Sequence, residues 1–339
     1  MKKVFLILLV LVALLAIIWK VGSDYKNKVI GLPEKISQPA ERPLDKYTIP
    51  ALAAVKSRPS EIIIDKTLSI EDTFTAYSFY YFVEGKKVSG VLNVPASGGN
   101  YPVIVMFRGY VDKEDYSPGV GTQPAAQIFA KNGLITLAPD FLGYGESDGA
   151  SDSSIEDRFQ TYVASTTLLA SVANLNIALA KNNINAKAIL KKVGIWGHSN
   201  GGQIALSVLE ITGAPYPTVL WAPVSKPFPY SVLYYTDEFE DKGKLLRKAI
   251  ADFEKDYDVD LYSLTNYLDM IKAPLQIHQG TADDKVPLSW SNQLTNELKK
   301  LNKQFDYYTY ESADHNLRPD GWEKAVERSI NFYEKNLGV

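Results

Sequence analysis

The sequence predicts an α/β fold built on a mostly parallel sheet of the eight-stranded type, with an antiparallel start, helices on both faces and a small helical cap. Three observations carry this. Strand-like runs near 102–107, 134–139, 193–197, 218–222, 274–278 and 305–310 are separated by helical stretches, the βαβ alternation of a parallel sheet covered on both sides. Before them, Glu61 to Leu68, Phe74 to Val83 and Lys87 to Val94 alternate apolar and polar residues, the last two around Glu84-Gly85-Lys86, which reads as an antiparallel hairpin. Finally, about fifty residues lie between Leu220-Trp221-Ala222-Pro223 and Pro274, where a short connection would suffice. Leu245 to Tyr257 and Leu261 to Met270 read as helices inside that stretch, so residues 225–272 are expected to form the cap. At 339 residues, 46% hydrophobic and 22% charged, the chain has material for one principal domain, placed at 60–339.

Taken in order, the chain opens with Met1-Lys2-Lys3 and an uninterrupted apolar run from Val4 to Trp19 closed by Lys20. As a helix that run rises about 24 Å, short of a hydrocarbon core of about 30 Å yet longer than most signal-peptide cores. Residues 1–23 are therefore expected to be a membrane anchor, with cleavage as a signal peptide at Val21-Gly22-Ser23 as the alternative. The paired lysines place the N-terminus inside and the remainder outside the cytoplasm. Residues 24–59, carrying Pro33, Pro39, Pro43, Pro50 and Pro59 among polar residues, read as a semi-rigid spacer.

Further on, Lys191-Lys192-Val193-Gly194-Ile195-Trp196 leads straight into Gly197-His198-Ser199-Asn200-Gly201, and Gln203 to Glu210 follows as a helix. A serine on a sharp strand-to-helix turn is exposed to an imidazole that can take its proton, which a hydroxyl requires to become a nucleophile. A second match to the pattern, Gly145-Glu146-Ser147-Asp148-Gly149, lies well after its strand and before a polar cluster, so Ser147 is read as a loop residue. The chain has three histidines. His198 lies inside the turn beside the serine with its side chain expected to point elsewhere, and His278 ends the apolar run that begins at Pro274. His315 remains, in a polar loop after the last strand-like run and ahead of the final helix, as the expected general base. The orienting acid should stand between serine and histidine in the chain, in Gly280-Thr281-Ala282-Asp283-Asp284-Lys285-Val286-Pro287. Asp283 and Asp284 cannot both face the ring, and the residues alone leave that choice open.

Together, Gly197-His198-Ser199-Asn200-Gly201-Gly202, the segment His278 to Pro287 and Asp314-His315 resemble the catalytic domain of the prolyl oligopeptidase family of α/β-hydrolases, with dienelactone-hydrolase-like esterases as relatives. The resemblance covers about residues 60 to 338. It implies that the acid is the aspartate of Asp-x-x-Val, here Asp283 with Val286. The family often has His-Gly-x-x-Asp, whereas Gln279 stands between His278 and Gly280 here, a change to which no function is attached. An oxyanion hole needs two backbone N–H donors, one from the residue after the serine, Asn200. The other should follow the strand Tyr101 to Phe107, where relatives commonly carry His-Gly-Gly and this chain has Arg108-Gly109-Tyr110. Tyr110 would donate, as in sugar-ester-cleaving relatives with His-Gly-Tyr. Arg108, Phe228, Tyr230 and Tyr234 are candidates for a substrate pocket above the carboxyl edge of the sheet, the aromatics equally suited to packing the cap.

Other classes find little support. A formal charge of −3 and no basic cluster interleaved with aromatics argue against a nucleic-acid partner. The absence of cysteine excludes disulfides and thiol chemistry. Asp256-Tyr257-Asp258-Val259-Asp260 starts like a calcium loop, but Leu261 stands where glycine is needed and Tyr267 where the bidentate glutamate belongs, so no metal and no cofactor are expected. The expected function is an extracytoplasmic serine hydrolase acting on a short peptide or a small-molecule ester. Family peptidases usually carry a β-propeller for which the stretch before residue 60 is too short, which moves weight toward a carboxylesterase or a propeller-free oligopeptidase. A non-catalytic, membrane-tethered binding domain is the alternative of another class.

Overall fold

A computed structural model describes residues 13–23 and 42–338. The chain divides into two units, residues 1–43 and 44–339. In the first, Ala13–Ser23 is an apolar helix whose Leu14, Ile17, Ile18 and Trp19 are exposed. The remainder of the expected anchor, residues 1–12, and residues 24–41 of the expected spacer lie outside the described residues.

The second unit contains a nine-stranded sheet in the order β1-β2-β3-β5-β4-β6-β7-β8-β9. Its strands are β1 Ile63–Ile70, β2 Phe74–Val83, β3 Lys86–Pro95, β4 Gly99–Phe107, β5 Ile135–Pro139, β6 Ala186–His198, β7 Thr218–Trp221, β8 Leu275–Gly280 and β9 Phe305–Tyr310. The first three are antiparallel to their neighbours and β4 to β9 pair in parallel, nine strands that match one for one the nine runs read from the sequence, one more than a sheet of the eight-stranded type. The β2–β3 hairpin closes through Glu84 and Gly85, both with positive φ, a two-residue turn whose twist matches that of the strands it joins. Val103 to Phe107, Leu275 and Ile277 are fully buried, as central strands covered on both faces must be. One helical run, Ser154–Lys181, is long and apolar enough to cross a membrane by length and composition, but 56% of that window is buried, the mark of a core helix.

Residues expected to belong to the spacer are partly folded. Pro43–Tyr47 forms a 3-10 turn and Ile49–Ala54 a short helix, and Tyr47 and Ile49 are each 1% exposed. Thr48 caps that helix by accepting from the Ala51 N–H at 3.2 Å, and Pro50 sits in its first turn, where a missing N–H costs nothing. A proline that reads as spacer punctuation is thus a helix starter. Residues 225–272 do hold helices, Tyr230–Leu233 and Lys244–Asp256, followed by three 3-10 turns. Phe228, Phe253 and Tyr262 from this region stack around Phe159 of the helix Ser154–Ser171, fastening it to the body.

Strand order reverses at β4: β5 lies on one side of it and β6 on the other. Chain connections diverge there, leaving a crevice outside the carboxyl ends of the strands, where open α/β sheets bind ligands.

Candidate active site

Four strand ends meet the crevice. After β6 the chain turns into the helix Asn200–Thr212 with Ser199 at φ 57° and ψ −121°, a backbone state unfavourable for any residue but glycine. The turn is this tight because its glycines admit backbone where a side chain would stand. A Cβ on Gly201 would lie 1.9 Å from the Phe107 carbonyl oxygen, and one on Gly197 would lie 2.4 Å from that of Gly201. The strained residue is held on both sides: its N–H donates to the Trp221 carbonyl at 2.9 Å, and its carbonyl accepts from Gly202 and Val224 N–H at 2.9 and 3.0 Å. Ser147 sits in a different setting. Its Oγ accepts from the Ser89 N–H at 2.9 Å and contacts Ser89 Oγ at 3.1 Å, a loop hydroxyl tied to β3.

After β8, Asp283 folds back toward the loop that follows β9. Its carboxylate receives the N–H groups of Lys285 and Val286 at 2.9 and 2.8 Å and faces His315 Nδ1 with Oδ2 at 2.9 Å and Oδ1 at 3.1 Å. Burial on its own would raise this carboxyl, but His315 and the two backbone donors outweigh it and hold the group below the usual carboxylate range. Facing a carboxylate, Nδ1 carries the proton and Nε2 is the free acceptor. Asp284 is exposed. Among the described residues the Ser199 hydroxyl makes no hydrogen bond to His315, a contact that in such sites commonly tightens only with substrate bound.

Two residues set aside on sequence grounds belong to this arrangement. His198, expected to point away from the serine hydroxyl, packs against His315: its ring centroid lies 4.7 Å from that of His315, and its Nε2 donates to the His315 carbonyl at 3.0 Å. Burial and the neighbouring imidazole push it down to about 4, so it is a neutral prop under the loop. Gln279, fully buried, donates Nε2 to Asp283 Oδ2 at 2.9 Å and to the Val286 carbonyl at 3.0 Å, while Ser291 Oγ donates to its Oε1 at 2.7 Å. The inserted residue is wired to Asp283. His278, as expected of a strand ending, is fully buried between Tyr310 and Gln276, and burial pushes it down to about 3.

The loop after β4 packs on the Ser199 turn, where a Cβ on Gly109 would come within 3.1 Å of the Ser199 Cβ. Neither the Tyr110 nor the Asn200 N–H donates to a protein acceptor among the described residues, and both residues line a cavity of about 180 Å³. Arg108 also lines it, but as a brace: Nη1 donates to the Gly109 carbonyl at 2.9 Å, Nη2 to the Asp140 carbonyl at 3.0 Å, and the guanidinium lies over Tyr144. The aromatic candidates are elsewhere. Phe228 is 3% exposed inside the cap's core because it completes the cluster around Phe159, and Tyr230 and Tyr234 pack on Trp290. The cavity wall is supplied instead by Tyr144, Asp157, Arg158 and Tyr162, from the loop after β5 and the helix behind it. No group of three or more metal-ligating side chains occurs among the described residues.

Comparison with known proteins agrees with this architecture. The chain is 25% identical over 265 residues to the uncharacterized peptidase YtmA of Bacillus subtilis (strain 168), spanning 77% of this chain and 93% of that one. Among solved structures, acetyl xylan esterase 1 from Thermoanaerobacterium sp. JW/SL YS485 superposes with a TM-score of 0.55 at 19% identity, over 87% of this chain and 95% of the esterase. The acylaminoacyl peptidase of Pyrococcus horikoshii gives 0.53 at 19% identity, over 79% of this chain and 41% of its own. At such identities the structural likeness establishes the α/β-hydrolase fold. The model of the prolyl oligopeptidase family matches residues 123–339, from the helix before β5 to the C-terminus, and on that match the chain belongs to this family of serine hydrolases.

Proposed function

We propose that Ser199, His315 and Asp283 act as nucleophile, general base and orienting acid, with the Tyr110 and Asn200 N–H groups as the oxyanion hole, in hydrolysis of a peptide or carboxylic ester bond. The observation that carries this reading is the His315–Asp283 hydrogen bond beyond the ends of β8 and β9, together with the packing of the His315 ring on His198, the residue before a serine held at φ 57°. His315 Nε2 takes the Ser199 proton as Oγ attacks the carbonyl carbon. The carbonyl π electrons move to oxygen, where the two N–H groups meet the charge. Collapse breaks the bond to the leaving group, which receives the proton from His315. Water, deprotonated by the same imidazole, then splits the acyl-enzyme.

Family membership and the peptidase relative favour a short peptide as substrate. A second reading, a carboxylic ester, draws on the near end-to-end match with an esterase, against the 41% of the acylaminoacyl peptidase that is matched. The N-terminal Lys2-Lys3 and apolar run favour a membrane-anchored, extracytoplasmic enzyme.

Labelling with a fluorophosphonate probe is the test. Wild type should be labelled and Ser199→Ala should not, and equal labelling of both removes Ser199 from the role. Turnover of aminoacyl-p-nitroanilides against p-nitrophenyl acetate separates the two substrate readings. Turnover lost in His315→Ala distinguishes either from a binding domain.

A further inference from the structure

The cavity beside the Ser199 turn holds a cation with no bonded counter-ion among the described residues. Arg158, half-buried on the helix Ser154–Ser171, brings its guanidinium into that cavity. Its one hydrogen bond there is long, from Nη1 to Asn200 Oδ1 at 3.4 Å, and no carboxylate lies within ion-pair distance of it among the described residues. A guanidinium has five N–H donors and does not lose its proton, so most of this one's donor capacity is unspent. Burial works against the charge, the opposite of what a paired arginine experiences.

Neighbouring charges define what fits. Arg108 has committed both Nη groups to the Gly109 and Asp140 carbonyls, and Asp157 also lines the cavity, so two cations and one anion leave the wall with an excess positive charge. Asp157 makes no bridge to Arg158, and burial raises its carboxyl, which weakens it as an internal partner. A planar fork of donors with its charge unmet matches a carboxylate in two parallel hydrogen bonds. Its contact with the side chain of Asn200, next to Ser199 in sequence, puts such a carboxylate a few bonds from the carbonyl under attack.

We infer that Arg158 anchors a free carboxylate of the substrate, making the enzyme selective for peptides or esters that carry one close to the scissile bond. This rests on the nucleophile reading above. The carboxylate has two possible sources, the leaving group (the free C-terminus of a short peptide) and the acyl group, and matched substrates separate them. One pair is 4-acetoxybenzoate and its methyl ester, with the charge on the leaving group. The other is p-nitrophenyl hemiadipate and its methyl ester, with the charge on the acyl side. For at least one pair, the ratio of kcat/KM for the acid to that for its neutral ester should fall at least tenfold in Arg158→Met, with Arg158→Lys between the two because it keeps the charge without the fork. Added salt should lower the wild-type ratio. Ratios that stay within threefold of wild type for both pairs in both variants overturn the inference, and the lysine variant serves alone if the methionine variant does not fold. Calorimetric binding of 4-acetoxybenzoate and hemiadipate to Ser199→Ala, with Arg158 intact or replaced, separates the two claims. At least tenfold weaker binding without Arg158 supports the subsite even where Ser199 proves not to be the nucleophile, and equal binding of both acids refutes it.

Discussion

Gln279 offers the sharpest test of how Asp283, the proposed acid, is held. Replacing it with leucine keeps the approximate volume and removes the Nε2 bonds to Asp283 Oδ2 and the Val286 carbonyl, together with the Oε1 acceptor for Ser291. Because Gln279 is fully buried, water does not replace them. A hydrogen bond to a charged group contributes about 1.5–3 kcal/mol, and each buried partner left unsatisfied costs about 1–3 kcal/mol. Asp283 keeps its Lys285 and Val286 donors and its pairing with His315, so the carboxylate is loosened rather than released. If one such bond's worth of positioning is lost in the transition state, kcat falls by about 10- to 100-fold, with KM little changed. Gln279→Glu separates positioning from packing. It sets a second carboxyl against Asp283 in place of a donor 2.9 Å away, and two carboxyls so close share a proton. At neutral pH that proton spends part of its time on Asp283, and once it leaves, two negative charges hold the site's remaining proton more tightly. Both effects move the acid limb of kcat/KM to higher pH, by about one unit or more. Steady-state kinetics from about pH 5 to 9 on p-nitrophenyl acetate, a range that brackets imidazole titration, reads both variants. A leucine variant within twofold of wild type, or a glutamate variant whose acid limb does not move, refutes the argument that Gln279 positions the acid.

Two further outcomes follow from the same structure. Asp283→Asn should lower kcat by roughly 10⁴, because the amide cannot fix the Nδ1–H tautomer, whereas Asp284→Asn, an exposed change, should stay within threefold; comparable losses in both would reopen the choice between them. Glu210 is fully buried on the helix Asn200–Thr212 with no protein donor to either oxygen among the described residues, and burial raises its carboxyl well above the ordinary value of 4.5. It therefore folds neutral. Above about pH 4.5 the unfolded chain gains by ionising it, so the folded state loses relative stability as pH rises toward the folded-state value. Glu210→Gln should consequently raise Tm at pH 8 by roughly 2 °C or more and make no such difference at pH 4, and calorimetry showing the same shift at both would contradict the buried-acid account.

What the sequence makes legible here is what depends on local pattern. The strands and the alternation behind the fold are written as runs of apolar residues, and the strand-to-helix turn as glycines whose absence of Cβ has a steric reason, such as the 1.9 Å that Gly201 would leave to Phe107. The residues that support the site are written nowhere locally. His198 reads as a neighbour of the serine, and only the arrival of the loop after β9 brings the His315 carbonyl to its ring. Gln279 reads as a one-residue insertion, although a clue is present: an uncharged polar side chain inside a fully buried strand must satisfy its amide, and the nearest groups in the chain able to do so belong to the Asp283 turn. Phe228 illustrates the opposite error. An aromatic at the start of a cap suits a binding wall or a core equally well, and the stacking of Phe159, Phe253 and Tyr262 decides for the core. Pro50 misleads because proline marks both spacers and first helical turns.

The position of the proposed nucleophile is itself a consequence of the whole sheet. A non-glycine residue at φ 57° costs on the order of 1–3 kcal/mol and persists only where its surroundings leave no alternative. Here β7 supplies the acceptor for the Ser199 N–H at Trp221, the segment after β7 supplies the Val224 donor to its carbonyl, and β4 presses its Phe107 carbonyl against Gly201. Two stretches of chain, the end of β4 and the β7 end with the residues just after it, thus share the strain, and neither carries a proposed reacting group. The placing of the serine therefore depends on the register of β6 with β4 and β7 as much as on the side chains brought together above it.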